Sequence, residues 1–269
     1  MIRILRTDLY RLFRSKVFLL ILLLNFLGMI ADVVWEGFSS SNVFQVQFWN
    51  LFQDLNEQAV FAFTGIVLMV LYGAEQKHGF VKYSYSCSGP RRHLSLSKFV
   101  VGVVAALCFI VEDILNKLIQ PIIVYLFFRK KYNMSTLKQY YWLQPREYEV
   151  RNVFFAVFTT LAALAVILLI YELTGSMVGG IILSLVWGSG LLEETLLAIQ
   201  TFLRILRALA GKSIDKGLNL QQYLLFTGSK QMNWTSPESV LKVAIPAGIL
   251  LIGSVAAAAV VAEKKSVNG

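Results

Sequence analysis

The side chains that could carry chemistry are few, and their spacing decides what they can do. Gly211-Lys212-Ser213 has the ending of a phosphate-binding loop, in which glycines let backbone N–H groups cradle the phosphates and the lysine reaches the terminal one. The earlier glycine of such a loop would fall at Leu206, so no cradle forms. Glu193-Glu194 is an acidic pair of the kind that activates a water molecule. Such a centre needs histidines from later segments, and the two histidines, His78 and His93, lie upstream. No zinc cluster and no Ser/His/Asp set can be assembled. What remains is Glu112, Asp113, Asn116 and Lys117, inside an otherwise apolar block. Ionisable groups there cost about 2.5–3.5 kcal/mol each on insertion scales, so they mark a polar translocation path, a proton relay, or a helix that has reached headgroups and water. Asp113 and Lys117 stand four apart with the acid first, the favourable order for a pair.

The elements that must position these groups are set by composition. The chain has 269 residues, 57% hydrophobic and 15% charged, with mean hydropathy +0.63. A soluble domain carries about 25% charged residues, so a water-soluble globule is excluded. Apolar residues arrive in blocks of membrane-span length. The net charge of +9 comes from basic residues beside those blocks, where they suit anionic headgroups and cytoplasmic loops rather than nucleic acid. Two cysteines, Cys87 and Cys108, give no disulfide framework. The basic amino-terminal stretch is too long, and lacks the small-residue site, for a cleavable signal.

Met1–Lys16 places Ile2, Leu5, Leu9, Leu12 and Phe13 at helical spacing, with Arg3, Arg6, Arg11, Arg14 and Lys16 over the rest of the surface. It reads as an interfacial elbow helix. Six spans are expected after it: Val17–Trp35, Ala59–Ala74, Phe99–Phe128, Val153–Tyr171, Met177–Leu192 and Val243–Val261. The segment Glu36–Gln58 lacks Lys and Arg and is expected outside, whereas Glu75–Lys98 is basic and expected inside. The basic stretches Arg129–Asn152 and Glu193–Leu241 fit the positive-inside rule better if Phe99–Phe128 is a re-entrant hairpin, so the second half has two readings. The short connection Glu172–Ser176 predicts an antiparallel hairpin, and Thr195–Leu209 predicts an amphipathic interfacial helix.

The opening TDLYRLFRSKVFLLILLL resembles the start of an ABC-2 type permease, the membrane subunit of a bacterial ATP-binding-cassette transporter. The stretch EQKHGFVKYSYSCSGPRRHLSLSK resembles that family's first cytoplasmic loop, with Glu75, Gly79, Lys82, Arg92 and Lys98 at the matching positions and Arg91 beside them in the same expected coupling loop. Gly79-Phe80 stands where the family more often has Gly-Thr, and Arg91-Arg92 where it has Ser-Arg. The ending, a last span followed by Glu263–Lys265, is similar too. The resemblance implies an all-α bundle of six spans in a bacterial cell membrane. It implies a loop that docks on a separate ATP-binding subunit, a second permease copy or a homologous permease as partner, and surrounding lipid. ATP and Mg would then belong to the partner subunit, and this chain would bind no cofactor and catalyse nothing. Small members of the family often serve peptide-antibiotic export or immunity. The alternative class is a non-transporting membrane protein, such as a CAAX-type intramembrane protease relative or a signalling subunit.

Overall fold

Out of water, a backbone must pair every N–H and C=O within itself or with a neighbouring strand, and runs of Leu, Ile and Val without a two-residue period leave the helix as the solution. The computed structural model describes residues 2–39, 57–77, 91–128, 147–209, 220–230 and 236–267, and the regular elements among them are helices. In chain order these are α1 (Ile2–Arg14), α2 (Lys16–Ser39), α3 (Glu57–Lys77), α4 (Arg91–Phe128), α5 (Glu147–Thr174), α6 (Met177–Gly188), α7 (Leu191–Leu209), a 3-10 turn (Leu220–Gln222), α8 (Leu225–Lys230) and α9 (Pro237–Val267).

Three stretches are long and apolar enough to cross a membrane: His93–Asn116, Val153–Thr174 and Pro237–Lys264. The number rises to five if two bent pairs each count as one span: α1 with α2, bent by 49°, and α6 with α7, bent by 62°. Glu57–Gly73 in α3 is apolar but shorter. The surface of the bundle agrees with a lipid solvent. Leu19, Leu23 and Leu27 on α2, Leu107, Val111 and Leu115 on α4, and Ile245, Ile249 and Ile252 on α9 form exposed apolar faces where a soluble helix would be polar.

Of the two readings of the second half, the re-entrant hairpin is excluded: Phe99–Phe128, expected as one span, belongs to one continuous helix of 38 residues, about 57 Å long at 1.5 Å per residue, which starts at Arg91. One expectation is corrected. The fifth block does not run straight from Met177 to Leu192. It stops after 12 residues at Gly188, and the chain turns through Ser189 and Gly190, the latter at φ +81°, a left-handed conformation that a side chain would strain. The expected hairpin after α5 is present. Gly175, at φ +67°, makes the turn, and the Ser176 hydroxyl accepts from the Gly179 N–H at 3.0 Å to cap α6.

Contacts fix the helix directions. Glu57 meets Thr159 and Tyr72 meets Tyr171, so α3 and α5 run parallel. Phe155 packs with Val243, and a Cβ on Gly248 would meet Phe158, so α9 runs with them. Lys98 meets Glu172 and Gly188 lies against Ala62, so α4 and α6 run the other way. One end of the bundle therefore carries Lys98 and Glu172, and the opposite end carries Glu57, Gly188 and all of α7.

Backbones come close between α3 and α6. Gly180, Ser184 and Gly188 recur every four residues on α6 and face Met69, Gly65 and Ala62 in antiparallel register. Small residues let backbones approach, the usual basis of helix association where apolar lipid removes the hydrophobic drive. The Ser184 hydroxyl donates back to Gly180 O at 2.7 Å, so it asks nothing of α3. A Cβ on Gly188 would stand 2.5 Å from Ala62 Cβ and 2.9 Å from Gln58 O, atoms that cannot swing away. Gly188→Ala should lower thermal stability in detergent by about 1–3 kcal/mol, as overpacking does. Gly253→Ala on α9, where a Cβ meets nothing within 4 Å, should leave stability unchanged or raise it by up to about 1 kcal/mol. Equal behaviour of the two variants would show that α3 and α6 do not meet at Gly188.

Candidate functional site

The densest polar arrangement lies at the first of the two ends, where the second turn of α4 meets the last turn of α5. Lys98 Nζ donates to Glu172 Oε1 at 2.9 Å, with both side chains 6–7% exposed. The aromatic rings of Tyr72, from α3, and Tyr171, from α5, flank the ammonium at 5.2 and 5.1 Å. Ring faces attract a desolvated cation, so four residues from three helices share one charge. Tyr171 also donates its hydroxyl to Tyr72 O at 3.1 Å, joining α5 to α3 directly.

The neighbouring residue extends the cluster to α1. Ser97 Oγ donates to Asp8 Oδ2 at 2.7 Å in a buried contact, and Arg11 stands 3.8 Å from the other oxygen of Asp8. Asp8 occupies the inner face of α1 between Leu5, Leu9 and Leu12, of which Leu12 is wholly buried. Helix α1 is therefore packed on the bundle by its inner face rather than lying with all its apolar residues in lipid, and Ile2 and Phe13 are the ones left exposed. Burial pushes the Asp8 carboxyl above its ordinary value; the Ser97 hydrogen bond and the Arg11 and Lys98 charges pull the other way and are outweighed.

A second buried carboxylate holds the opposite end. Glu193, 1% exposed, sits just after the turn into α7 and accepts four hydrogen bonds. Trp187 Nε1 at 3.3 Å and Phe226 N at 3.0 Å reach one oxygen. Thr227 N at 2.8 Å and Thr227 Oγ1 at 2.6 Å reach the other. The carboxylate thus ties the root of α7 to the start of α8, and Trp187, Phe61 and Phe226 pack ring on ring beside it at centroid distances of 5.4 to 6.3 Å. With both oxygens taken, Glu193 is a structural clamp, not a base waiting for water.

Glu112 is different. Both of its carboxylate oxygens are shielded from solvent without a hydrogen bond of ordinary geometry among the described residues. The side chains of Asn25, from α2, and Asn116 are the polar groups that bear on it. It lies 14 residues beyond Lys98 on the same helix, about 21 Å along the axis, near the far end of the His93–Asn116 stretch. Asn116 is buried and Asp113 partly so. Of the expected Asp113–Lys117 pair, the Lys117 side chain lies outside the described residues.

The residues singled out from the sequence fare unequally. Glu75 falls in the last turn of α3, and Arg91 and Arg92 open α4, their side chains outside the described set. Gly79 and Lys82 also lie outside the described residues. Lys98 departs from its expected place in a docking loop: it is helical, buried and paired with Glu172. Arg6, Arg11, Arg14 and Lys16 are exposed as expected of α1, with Arg14 over the Tyr10 ring at 5.0 Å; the Arg3 side chain lies outside the described set. Asp8, Ser97, Glu172 and the clamping role of Glu193 were not foreseen. For Asp8 the signal was present, an acid placed on the apolar stripe of a basic helix.

Comparison of the chain with protein-family models, with curated proteins and with solved structures gave no match.

Two outcomes test the cluster. Removing one partner of a buried pair strands the other charge, so Lys98→Met and Glu172→Gln should each cost about 3–5 kcal/mol of stability. The double variant should recover part of the loss, and a double no more stable than the worse single would show that the groups do not act as a pair. For Asp8 the folded state favours the neutral acid, so the contribution of this site is full at low pH and is lost as pH rises through the raised value. Asp8→Asn keeps an acceptor for Ser97 and cannot ionise. Its melting temperature relative to the parent chain should therefore climb as pH is raised, and a difference that is flat with pH would contradict the assignment.

Proposed function

We propose that the chain is the membrane-spanning permease subunit of an ABC transporter of the ABC-2 kind, six-pass in the cell membrane, with α1 as its elbow helix. It forms the path for an amphipathic or hydrophobic substrate, such as a peptide antibiotic or a lipid-like molecule. A separate ATP-binding subunit binds and hydrolyses ATP with Mg, and a second permease, identical or homologous, completes the path. In this reading α2, α3, α4, α5, α6 and α9 are the six crossings, α7 turns away from the bundle at the end opposite Lys98, and the Lys98 end faces the cytoplasm.

The observation that carries the proposal is the interlock behind residues 78–90. These residues join α3 to α4, and they are the stretch whose pattern resembles the family's docking loop. Whatever moves the start of α4 moves Ser97 and Lys98, which hold Asp8 of α1 and Glu172 of α5. Glu172 lies three residues before the Gly175 turn into α6. A push on one short loop is thereby shared among α1, α3, α4 and α5 without a flexible step, which is the requirement for converting closure of an ATPase into a change of helix positions. The polar residues Glu112, Asn116 and Asn25, on α4 and α2, would then line or border the path.

Reversal of charge at the start of α4 tests this. Arg91→Glu with Arg92→Glu should reduce co-purification of the ATP-binding subunit, or leave assembly intact while separating ATP turnover from transport in proteoliposomes, because charges at a docking rim steer and register the partner. Unchanged assembly, turnover and transport would reduce this stretch to a basic loop resting on anionic lipid.

A further inference from the structure

Helix α7 is almost uncovered. From Thr201 to Arg207 every residue is exposed, yet its composition is not that of a helix in water. Leu196, Ile199, Phe202, Leu203 and Leu206 are 40–59% exposed. At about 100° per residue they fall within one half of the circumference, while Glu194, Gln200, Arg204 and Arg207 fall in the other. A partner helix covers a narrow seam. An apolar half-cylinder with arginines on the polar half is the shape and charge that a lipid surface covers, since acyl chains take the apolar half and the long arginine stems reach out to phosphates.

The position of α7 agrees. It leaves α6 at 62°, at the end of the bundle opposite Lys98, where a helix leaving the bundle core turns toward the membrane plane. The Glu193 clamp fixes that departure, because three of its hydrogen bonds hold the first turn of α7 against α8 and the fourth, from Trp187, holds it to α6. The helix is thus presented at a set angle rather than left to swing.

We propose that α7 lies along the membrane surface at this end of the protein, its apolar half among acyl chains and Arg204 and Arg207 on the phosphates of anionic lipid. That this is the outer surface rests on the topology proposed above; the contact with lipid does not depend on transport.

The test uses the full chain in nanodiscs, with Cys87→Ser and Cys108→Ser as background and single cysteines carrying a fluorophore in place of Gln200, Phe202 or Leu206. Brominated acyl chains should quench the labels at 202 and 206 strongly and the label at 200 weakly. In equal mixtures of phosphatidylglycerol and phosphatidylcholine, Arg204→Gln and Arg207→Gln should each lower the retained phosphatidylglycerol about five-fold, the effect of one basic residue near a membrane surface. Equal quenching at all three positions would overturn the proposal. So would a disulfide between position 202 of two copies, which gives the apolar half to a second copy, or unchanged lipid retention after both arginines are removed. A membrane-impermeant quencher added outside sealed vesicles then reports the side. Lipid quenching with the label on the inner surface would refute the proposed topology and leave the lipid contact standing.

Discussion

An ammonium and a carboxylate held 2.9 Å apart and out of water, Lys98 against Glu172, set the terms for one whole end of this protein. Neither charge is tolerable there alone, because desolvation costs several kcal/mol per ion and only close, well-oriented partners return it. The surroundings therefore have to be correct in detail. The two tyrosine rings supply faces for the cation, and their own hydroxyl and carbonyl link α5 to α3. Ser97 turns toward Asp8 and brings α1 along. Hydrophobic contact would hold these helices together at many registers. The ion pair selects one.

The other end is held by different means, and the contrast bears on mechanism. Between α3 and α6 the contact among the described residues is apolar: small residues approach closely, with Gly188 set against Ala62 and the Gln58 carbonyl, and Phe61 packs on Trp187. Beyond Gly188 the chain breaks, and the bend is locked by one carboxylate saturated with donors. A helix interface built from glycine has few side chains to repack, so it resists sliding as well as separation.

How much of this was legible in the sequence follows from the range of each interaction. Span-length blocks, the hairpin at Gly175 and the amphipathic character of α1 and α7 are local, and periodicity and turn residues disclosed them. The break at Gly188 has a local sign in Gly188-Ser189-Gly190, but small residues are ordinary in membrane bundles, and the bend is held by a clamp to Phe226 and Thr227, more than thirty residues away. The run of basic and turn residues before Lys98 points to the end of a loop. The burial of Lys98 depends on Glu172, 74 positions later, and no pattern in a single sequence couples the two. The rival reading of Phe99–Phe128 as a hairpin rests on balancing loop charges, a rule about which side a loop prefers that says nothing of whether a polar set interrupts a helix.

Glu112 shows why the distinction between buried and satisfied matters for function. Lys98, Glu172 and Glu193 are equally unusual in an apolar bundle, but each has its charge matched by groups fixed within the fold, so each is accounted for as structure. Glu112 has its carboxylate oxygens shielded and without a hydrogen bond of ordinary geometry among the described residues, although the side chains of Asn25, Asn116 and Asp113 bear on it. Asn25 belongs to α2 and Glu112 to α4, whereas the Asp8–Ser97 contact ties α4 to α1, which is bent 49° from α2, so the surroundings of Glu112 are set by a different helix pair from the one interlocked beside Lys98.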